Sequence, residues 1–295
     1  MGFPPGAEPV PSGPSGSRGR GSRMIGGRGI LISSASTIIF FAVIALAVAL
    51  APGSSLVAER FFDPYHLNRS LFGTVTTPSV VGAFVLNIKM FLIAEVLILI
   101  LALVVAIVRG IPGPVFFPFR AVAVGYTDLF RGVPLILVLY IIGFGLPGLG
   151  LKFFSSQSEV TYGVVALVLV YSAYVAEVYR AGIDSVHESQ TAAARSLGLS
   201  RWQAMRFVVL PQAVRRVIPP LLNDFIGLQK DTALISVLGP IEAARAANIY
   251  AAEQFNYGSF VIAAFLFIIV TIPLARFTDR LIERDQRRRR AGAAL

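Results

Sequence analysis

Six apolar runs set the pattern of this chain, and polar segments of two kinds separate them. Ile30 to Leu50 carries no charge, and at about 20 residues it is long enough to cross a bilayer core as a helix. The later runs are Gly82 to Val108, Gly132 to about Leu149, Val160 to Arg180, Val217 to Leu238 and Ser259 to Leu281. Together they predict an all-α integral membrane protein with six transmembrane helices. Gly143, Gly145, Pro147 and Gly148 loosen the outer end of the third run. Pro112, Pro114 and Pro118 break the segment Arg109 to Arg131, which holds a short amphipathic piece from Arg120 to Phe130. Met1 to Gly29 is rich in Pro, Gly, Ser and Arg and predicts a disordered tail. A cleaved signal peptide competes for the first run, since Ala49-Leu50-Ala51 looks like a cleavage site. The run is longer than a signal core of roughly 7–15 residues, and Pro52 would obstruct the cut, so a true span is expected.

Charge fixes the expected orientation. The chain has 295 residues, 55% hydrophobic and only 14% charged, too apolar for an ordinary soluble domain. Its net charge of +10 then points to segments flanking a membrane on the cytoplasmic side, not to nucleic acid. Of the 26 Lys and Arg, twenty fall in the N-terminal tail, in 109–131, in 180–216 and from Arg276 onward. Arg60, Arg69, Lys152 and Arg245 fall in the other loops, and Lys89 and Lys230 within spans. The asymmetry places both termini and the 184–211 loop in the cytoplasm. There are no cysteines, which excludes disulfides and thiolate chemistry. His66 and His187 alone cannot build a His-rich metal site.

The most informative stretch runs from Tyr174 to Gly239. Ser185-Val186-His187-Glu188 has capping-box spacing. Val186, Gln190, Ala193, Ala194 and Leu197 then recur at helical steps, forming a narrow stripe of small residues. Gly198 is placed to end that helix in the left-handed conformation. Ser200-Arg201-Trp202-Gln203 is a second capping box opening a second short helix, which Pro211 is expected to stop. Two short amphipathic helices at a membrane surface follow, one with a face that another protein's backbone can approach closely.

These residues resemble the membrane subunits of bacterial ABC importers. That family carries Glu-Ala-Ala, three residues, Gly, nine residues, Ile-x-Leu-Pro in a cytoplasmic loop; here Ala192-Ala193-Ala194, Gly198 and Val208-Val209-Leu210-Pro211 stand at the same spacing. Ala173 to Ile183, Pro211-Gln212-Ala213, Ile218 to Asn223, Lys230 to Leu234 and Phe130 to Pro134 resemble its polar amino-acid branch. The likeness covers about Gly82 to Glu283. It departs at Ser189, where the family has Gly, and at Ala192, where it has Glu. It implies a five-helix type I importer core at 82–283, with the first span at 30–51 extra, an extracytoplasmic loop at 52–81 and a basic cytoplasmic tail at 284–295. It also implies that Ser189, Gln190, Ala192, Ala193, Ala194, Leu197, Gly198, Leu210 and Pro211 belong to a loop that docks on an ATPase subunit. Expected partners are a second permease subunit, identical or related, two ATPase subunits, an extracytoplasmic amino-acid-binding protein and membrane lipid. ATP and Mg would sit on the partner ATPase, with no cofactor on this chain.

Polar residues inside the apolar runs are costly, roughly 2.5–3.5 kcal/mol for a mid-membrane charge, and so carry information. Two readings fit Lys230 and Asp231, with Asn223, Asp224 and Gln229 before them: a structural ion pair, or lining of a translocation path. Glu177 is either an interfacial residue paired with Arg180 or a path residue. Glu95 is either a packing contact or path lining, and Lys89 is placed to snorkel. The chain lacks a phosphate-binding Gly-x-x-x-x-Gly-Lys-Ser/Thr loop and any Ser–His–Asp pattern, so it is not expected to hydrolyse ATP itself. Two functions follow: a permease subunit of an ATP-driven importer of glutamate/glutamine, basic amino acids or cystine in the bacterial cytoplasmic membrane, or a self-contained secondary transporter or channel using Lys89, Glu95, Lys230 and Asp231. The helical cytoplasmic loop favours the first, because a self-contained carrier does not need it.

Overall fold

The computed structural model describes residues 27–292; nearly all of the tail expected to be disordered lies outside the described residues. Every regular segment among the described residues is helical. The chain divides into two units, residues 1–56 and 57–295. The first contains helix α1 (Gly27–Ala49), which exposes Ile38, Phe41, Ile44 and Val48 alike. A helix apolar on every side has lipid as its natural solvent.

The second unit begins inside the next helix, at Val57, and holds the rest. The expected loop 52–81 contains two helices, α2 (Ser54–Phe62) and α3 (Pro64–Phe72). Pro64 starts α3, where its missing N–H costs nothing, and the Asp63 carboxylate accepts from the Tyr65 N–H at 3.0 Å. Then come α4 (Val80–Gly110), α5 (Phe117–Gly132) and α6 (Leu135–Tyr140), which continues through a π-helical turn to Gly148. A short α7 (Lys152–Ser155) leads to α8 (Glu159–Asp184). Helices α9 (Glu188–Ser196), α10 (Arg201–Ala204) and α11 (Leu210–Asp231) follow, then a 3₁₀ segment, Thr232–Leu238. The chain closes with α12 (Ala243–Gln254) and α13 (Gly258–Gly292).

Helices α4 and α8 pack along their lengths and α11 lies against α8. Met90, Ile98, Leu167, Leu228 and Ile235 fill the seam, all buried. Gly163 lets the 3₁₀ segment in: a Cβ there would lie 2.4 Å from Ile235 Cγ2. A buried hydrogen-bond cluster ties the N-terminal part of α4 to the start of α12. The Asn87 amide donates to Glu242 at 2.9 Å and to Thr232 at 3.1 Å, and its carbonyl accepts from the Ala243 N–H at 3.0 Å. Glu242 also caps α12, accepting from the Ala244 and Arg245 N–H groups. Burial pushes its carboxyl up from the ordinary value, while the donors on Ala244, Asn87 and Arg245 pull it back.

Several expected boundaries change. The amphipathic piece at 120–130 is the full helix α5, and it meets the third apolar run at 109°. The cause is Pro134: it has no N–H to give, and the preceding Val133 is held extended. Among the described residues, three helices can cross a membrane by length and composition, Val80–Gly110, Glu159–Asp184 and Gly258–Arg284, or up to five if each bent pair counts as one span. The expected fifth span is not among them. It is interrupted by Asn223, Asp224, Lys230 and Asp231, and it leaves the α-helical form at Thr232. Helix geometry therefore supports several spans without fixing the number at six.

Candidate coupling loop and polar cavity

The 184–211 region is built from caps. Helix α8 ends at Asp184, and the Ser185 hydroxyl donates back to the Gly182 carbonyl at 2.6 Å. This corrects the expected Ser185–Glu188 capping box: Ser185 is consumed by the helix before it, and His187 caps α9, its Nδ1 accepting from the Ser189 N–H at 3.2 Å. At the other end of α9, Gly198 sits at φ +88°. The Leu199 N–H reaches the Ala194 carbonyl at 3.2 Å and the Gly198 N–H reaches Arg195 at 3.0 Å, the double closure of a Schellman motif. The second box forms as expected, with Gln203 N–H to Ser200 Oγ at 3.2 Å and Ser200 N–H to Gln203 Oε1 at 2.8 Å.

Pro211 does not stop the second helix. A π-helical turn, Met205–Val209, precedes it, and the chain continues directly into α11. The wider turn re-registers the backbone so that the N–H missing from proline is not needed. Val186, Val209 and Ala213 form a small apolar base under the loop, and the Arg216 guanidinium donates to the Ser185 carbonyl. Of the predicted docking residues, Ala194 is buried, whereas Ser189, Gln190, Ala192, Ala193, Gly198, Leu210 and Pro211 are exposed. Leu197 is 82% exposed although apolar. The predicted stripe is thus split: Val186 and Ala194 hold the loop down, and Ala193 and Leu197 face away.

Above the loop, Glu177 gathers three arginines. It accepts from Arg109, from Arg180 Nε at 3.1 Å and Nη2 at 2.9 Å, and has Arg131 at 3.6 Å. Arg109 also donates to Thr127 at 3.0 Å, and Arg180 to Asp184 at 2.6 Å. The Glu177 and Arg109 side chains are only 15% and 13% exposed. The Glu177–Arg180 pairing was readable from the sequence; Arg109 and Arg131 were not.

Next to this cluster lies a cavity of about 460 Å³ lined by Arg131, Val133, Tyr171, Tyr174, Asp224 and Asp231, among others. The Tyr171 hydroxyl donates to Asp231 at 2.7 Å. Lys230 points elsewhere and is exposed; among the described residues it forms no ion pair with Asp231. The structural-pair reading therefore fails, because consecutive helical residues do not face each other. One Asp224 carboxylate oxygen is buried with no partner among the described residues. Asn223 is exposed and lies off the cavity lining, and so does Lys89 on α4. Gln229 is buried on the opposite side, accepting from Thr271 at 2.9 Å. Glu95 is half-buried on α4, within electrostatic reach of Asp224 and Tyr179. The cavity thus brings together Asp231, Asp224 and Tyr171 but not Lys230, Asn223 or Gln229.

Residues 115–288 match the family model described as binding-protein-dependent transport system inner membrane component. The chain belongs to that family. This permease is 34% identical to an arginine transport system permease protein of Bacillus subtilis (strain 168) over 207 residues, 70% of this chain and 92% of that one. It is 35% identical to a probable glutamine ABC transporter permease protein of the same organism over 177 residues, 60% and 79% of the two chains. Among solved structures, an amino acid ABC transporter crystallised with histidines superposes with a TM-score of 0.64 at 32% identity, covering 70% of this chain and 93% of that chain. A methionine ABC transporter, at 16% identity and a TM-score of 0.58, shares the fold. The permease therefore has the type I ABC importer fold, ATP hydrolysis resides on a separate subunit, and the self-contained carrier reading is set aside.

Proposed function

We propose that the permease forms the path by which an ATP-driven importer carries a polar amino acid into the cell. The names of its relatives, which include glutamine and arginine permeases, support that substrate class; glutamate/glutamine, basic amino acids and cystine are the candidates. The observation that carries the mechanism is the α9–α10 pair. It is capped at Ser200 and Gly198, anchored at its base by Arg216, and turns Ala192, Ala193 and Leu197 outward. In this reading two permeases, identical or related, pair in the membrane, and each docks its 184–211 loop on one of two ATPase subunits. ATP and Mg are held there, and a binding protein delivers substrate from outside. Closure of the ATPases then moves the capped loops as rigid bodies and alternates access to the path, to which Asp231, Asp224 and Glu95 contribute. The domain scheme is an extra span at 30–51 joined by the 52–81 loop to a core at 82–283, with a cytoplasmic tail at 284–295.

Uptake of a labelled amino-acid panel, in cells with and without the gene, tests the function. Loss of uptake confined to one of the three classes is expected; unchanged uptake of every amino acid would sink the substrate reading. Orientation has its own check, resting on the basic asymmetry. A reporter fused after Leu295 and one inserted beside Gln157 are expected on opposite sides of the membrane. The same side for both would overturn the span count.

A further inference from the structure

Helices α2 and α3 lie upstream of the family match, which starts at residue 115. All of α3, and α2 from Val57 on, belong to the second unit and are fastened within it. The Arg60 guanidinium donates to the Phe255 carbonyl at 2.6 Å, and the Tyr257 N–H donates to the Arg60 carbonyl at 2.8 Å. The Asn256 amide donates to the Glu59 carbonyl at 3.2 Å, and His66 Nδ1 lies 3.0 Å from the buried Tyr250 hydroxyl. Ser79, the cap of α4, donates its hydroxyl to the Leu71 carbonyl at 2.8 Å. These contacts hold α3 beside the N-terminal ends of the long apolar helices α4 and α13, and a helix long enough to span a bilayer generally ends at headgroup depth.

The inward side of α3 is Leu67, Ser70 and Leu71; its outward side is another matter. Tyr65, Arg69 and Phe72 recur at helical spacing along α3. Tyr65 is 58% and Phe72 72% exposed. Arg69 donates to the Tyr65 hydroxyl and lies 5.2 Å from its ring centre. The flanks of α4 and α13 are likewise apolar and exposed, at Val85, Leu92, Phe265 and Ile268 among others. Aromatic rings flanking a single cation are what the membrane interface selects, rings at headgroup depth and a guanidinium on phosphate. We propose that the outward stripe of α3 rests in the headgroup layer of the outer leaflet, with Arg69 on lipid phosphate, so that α2 and α3 anchor the α12–α13 turn to the membrane surface. The choice of leaflet rests on the orientation proposed above; the proposal does not depend on which substrate the permease carries.

The absence of cysteine makes the test direct. Spin labels are placed at Tyr65→Cys and Phe72→Cys, and at Glu253→Cys on the exposed side of α12, in the assembled transporter in vesicles of phosphatidylethanolamine and phosphatidylglycerol. Collision rates with oxygen and with a water-soluble nickel chelate are then compared. A several-fold higher oxygen-to-nickel ratio at 65 and 72 than at 253 is expected. Equal ratios at the three sites overturn the proposal. So does protection at 65 and 72 that appears only on adding the extracytoplasmic binding protein, which would make the stripe a protein-docking face. Should Tyr65→Cys, which also removes the Arg69 contact, fail to accumulate, Phe72→Cys decides alone.

Discussion

Glu177→Ala is expected to destabilise the permease by about 2–3 kcal/mol and to lower the amount recovered from membranes. The carboxylate accepts from Arg109 on α4 and Arg180 on α8 and stands 3.6 Å from Arg131 on α5. Removing it leaves the largely buried Arg109 with the Thr127 hydroxyl as its one side-chain acceptor among the described residues and sets like charges against one another. Breaking one side of a buried pair typically costs 3–5 kcal/mol; the lower figure allows for solvent around Arg131 and Arg180, each more than two-fifths exposed. Thermal unfolding of the detergent-purified protein measures the loss. Adding Arg109→Leu to Glu177→Ala is expected to restore part of it, since the unpaired charge goes too. A single substitution that leaves the melting temperature in place would show that water, not Glu177, neutralises these arginines.

Gly198→Val is expected to leave the permease in the membrane and bound to its ATPase while uptake and substrate-stimulated ATP hydrolysis collapse. At φ +88° the residue is in the left-handed region, where a side chain costs roughly 1–2 kcal/mol and a β-branched one is a steric outlier. Nothing lies within 4 Å of the position a Cβ would take, so the cost is in the backbone and not in a clash. The chain relieves it by rotating α9 against α10. Gly198→Asn, which tolerates the left-handed region, is the matched control and should retain most of the activity. If Gly198→Val in reconstituted vesicles keeps full stimulated hydrolysis, the α9–α10 pair is not the coupling element.

Local chemistry decided what could be read from the residues alone. Gly198 was legible because a helical stripe ends at a glycine, and the Ser200–Gln203 box because both partners lie within one turn. Ser185 misled because its pattern is local while two helices compete for it, and the earlier one takes its hydroxyl. Pro211 misled because a π turn just before it removes the conflict that would end a helix, and nothing in the residue pattern announces such a turn. Lys230 and Asp231 are adjacent in sequence but diverge on the helix. The Glu177 cluster was half-visible: Arg180 is three residues on, whereas Arg109 arrives from 68 positions away. Asn87 and Glu242 are 155 positions apart, and only the packing of α4 against the start of α12 brings them together. The apolar runs gave the helical class directly. They gave the number of spans less well, because Pro134 folds one run back on its neighbour and buried polar groups dilute another.

The uninterrupted helical backbone from Arg201 to Asp231 has a mechanical consequence. At 1.5 Å per residue it is a rod of about 45 Å, reaching from the proposed docking surface to the carboxylate beside the cavity. A rigid rod of that length turns a tilt of roughly 5° at one end into a sweep of about 4 Å at the other. This one is jointed: the π turn at Met205–Val209 and the adjacent Pro219 and Pro220 are the places where its hydrogen-bond ladder is weakest. Motion applied at the loop is therefore divided at those two joints. The stretch beyond Pro220, which carries Asp224 and Asp231, receives only what the joints pass on, so in the proposed mechanism their stiffness sets the gear ratio between the ATPase stroke and the width of the path.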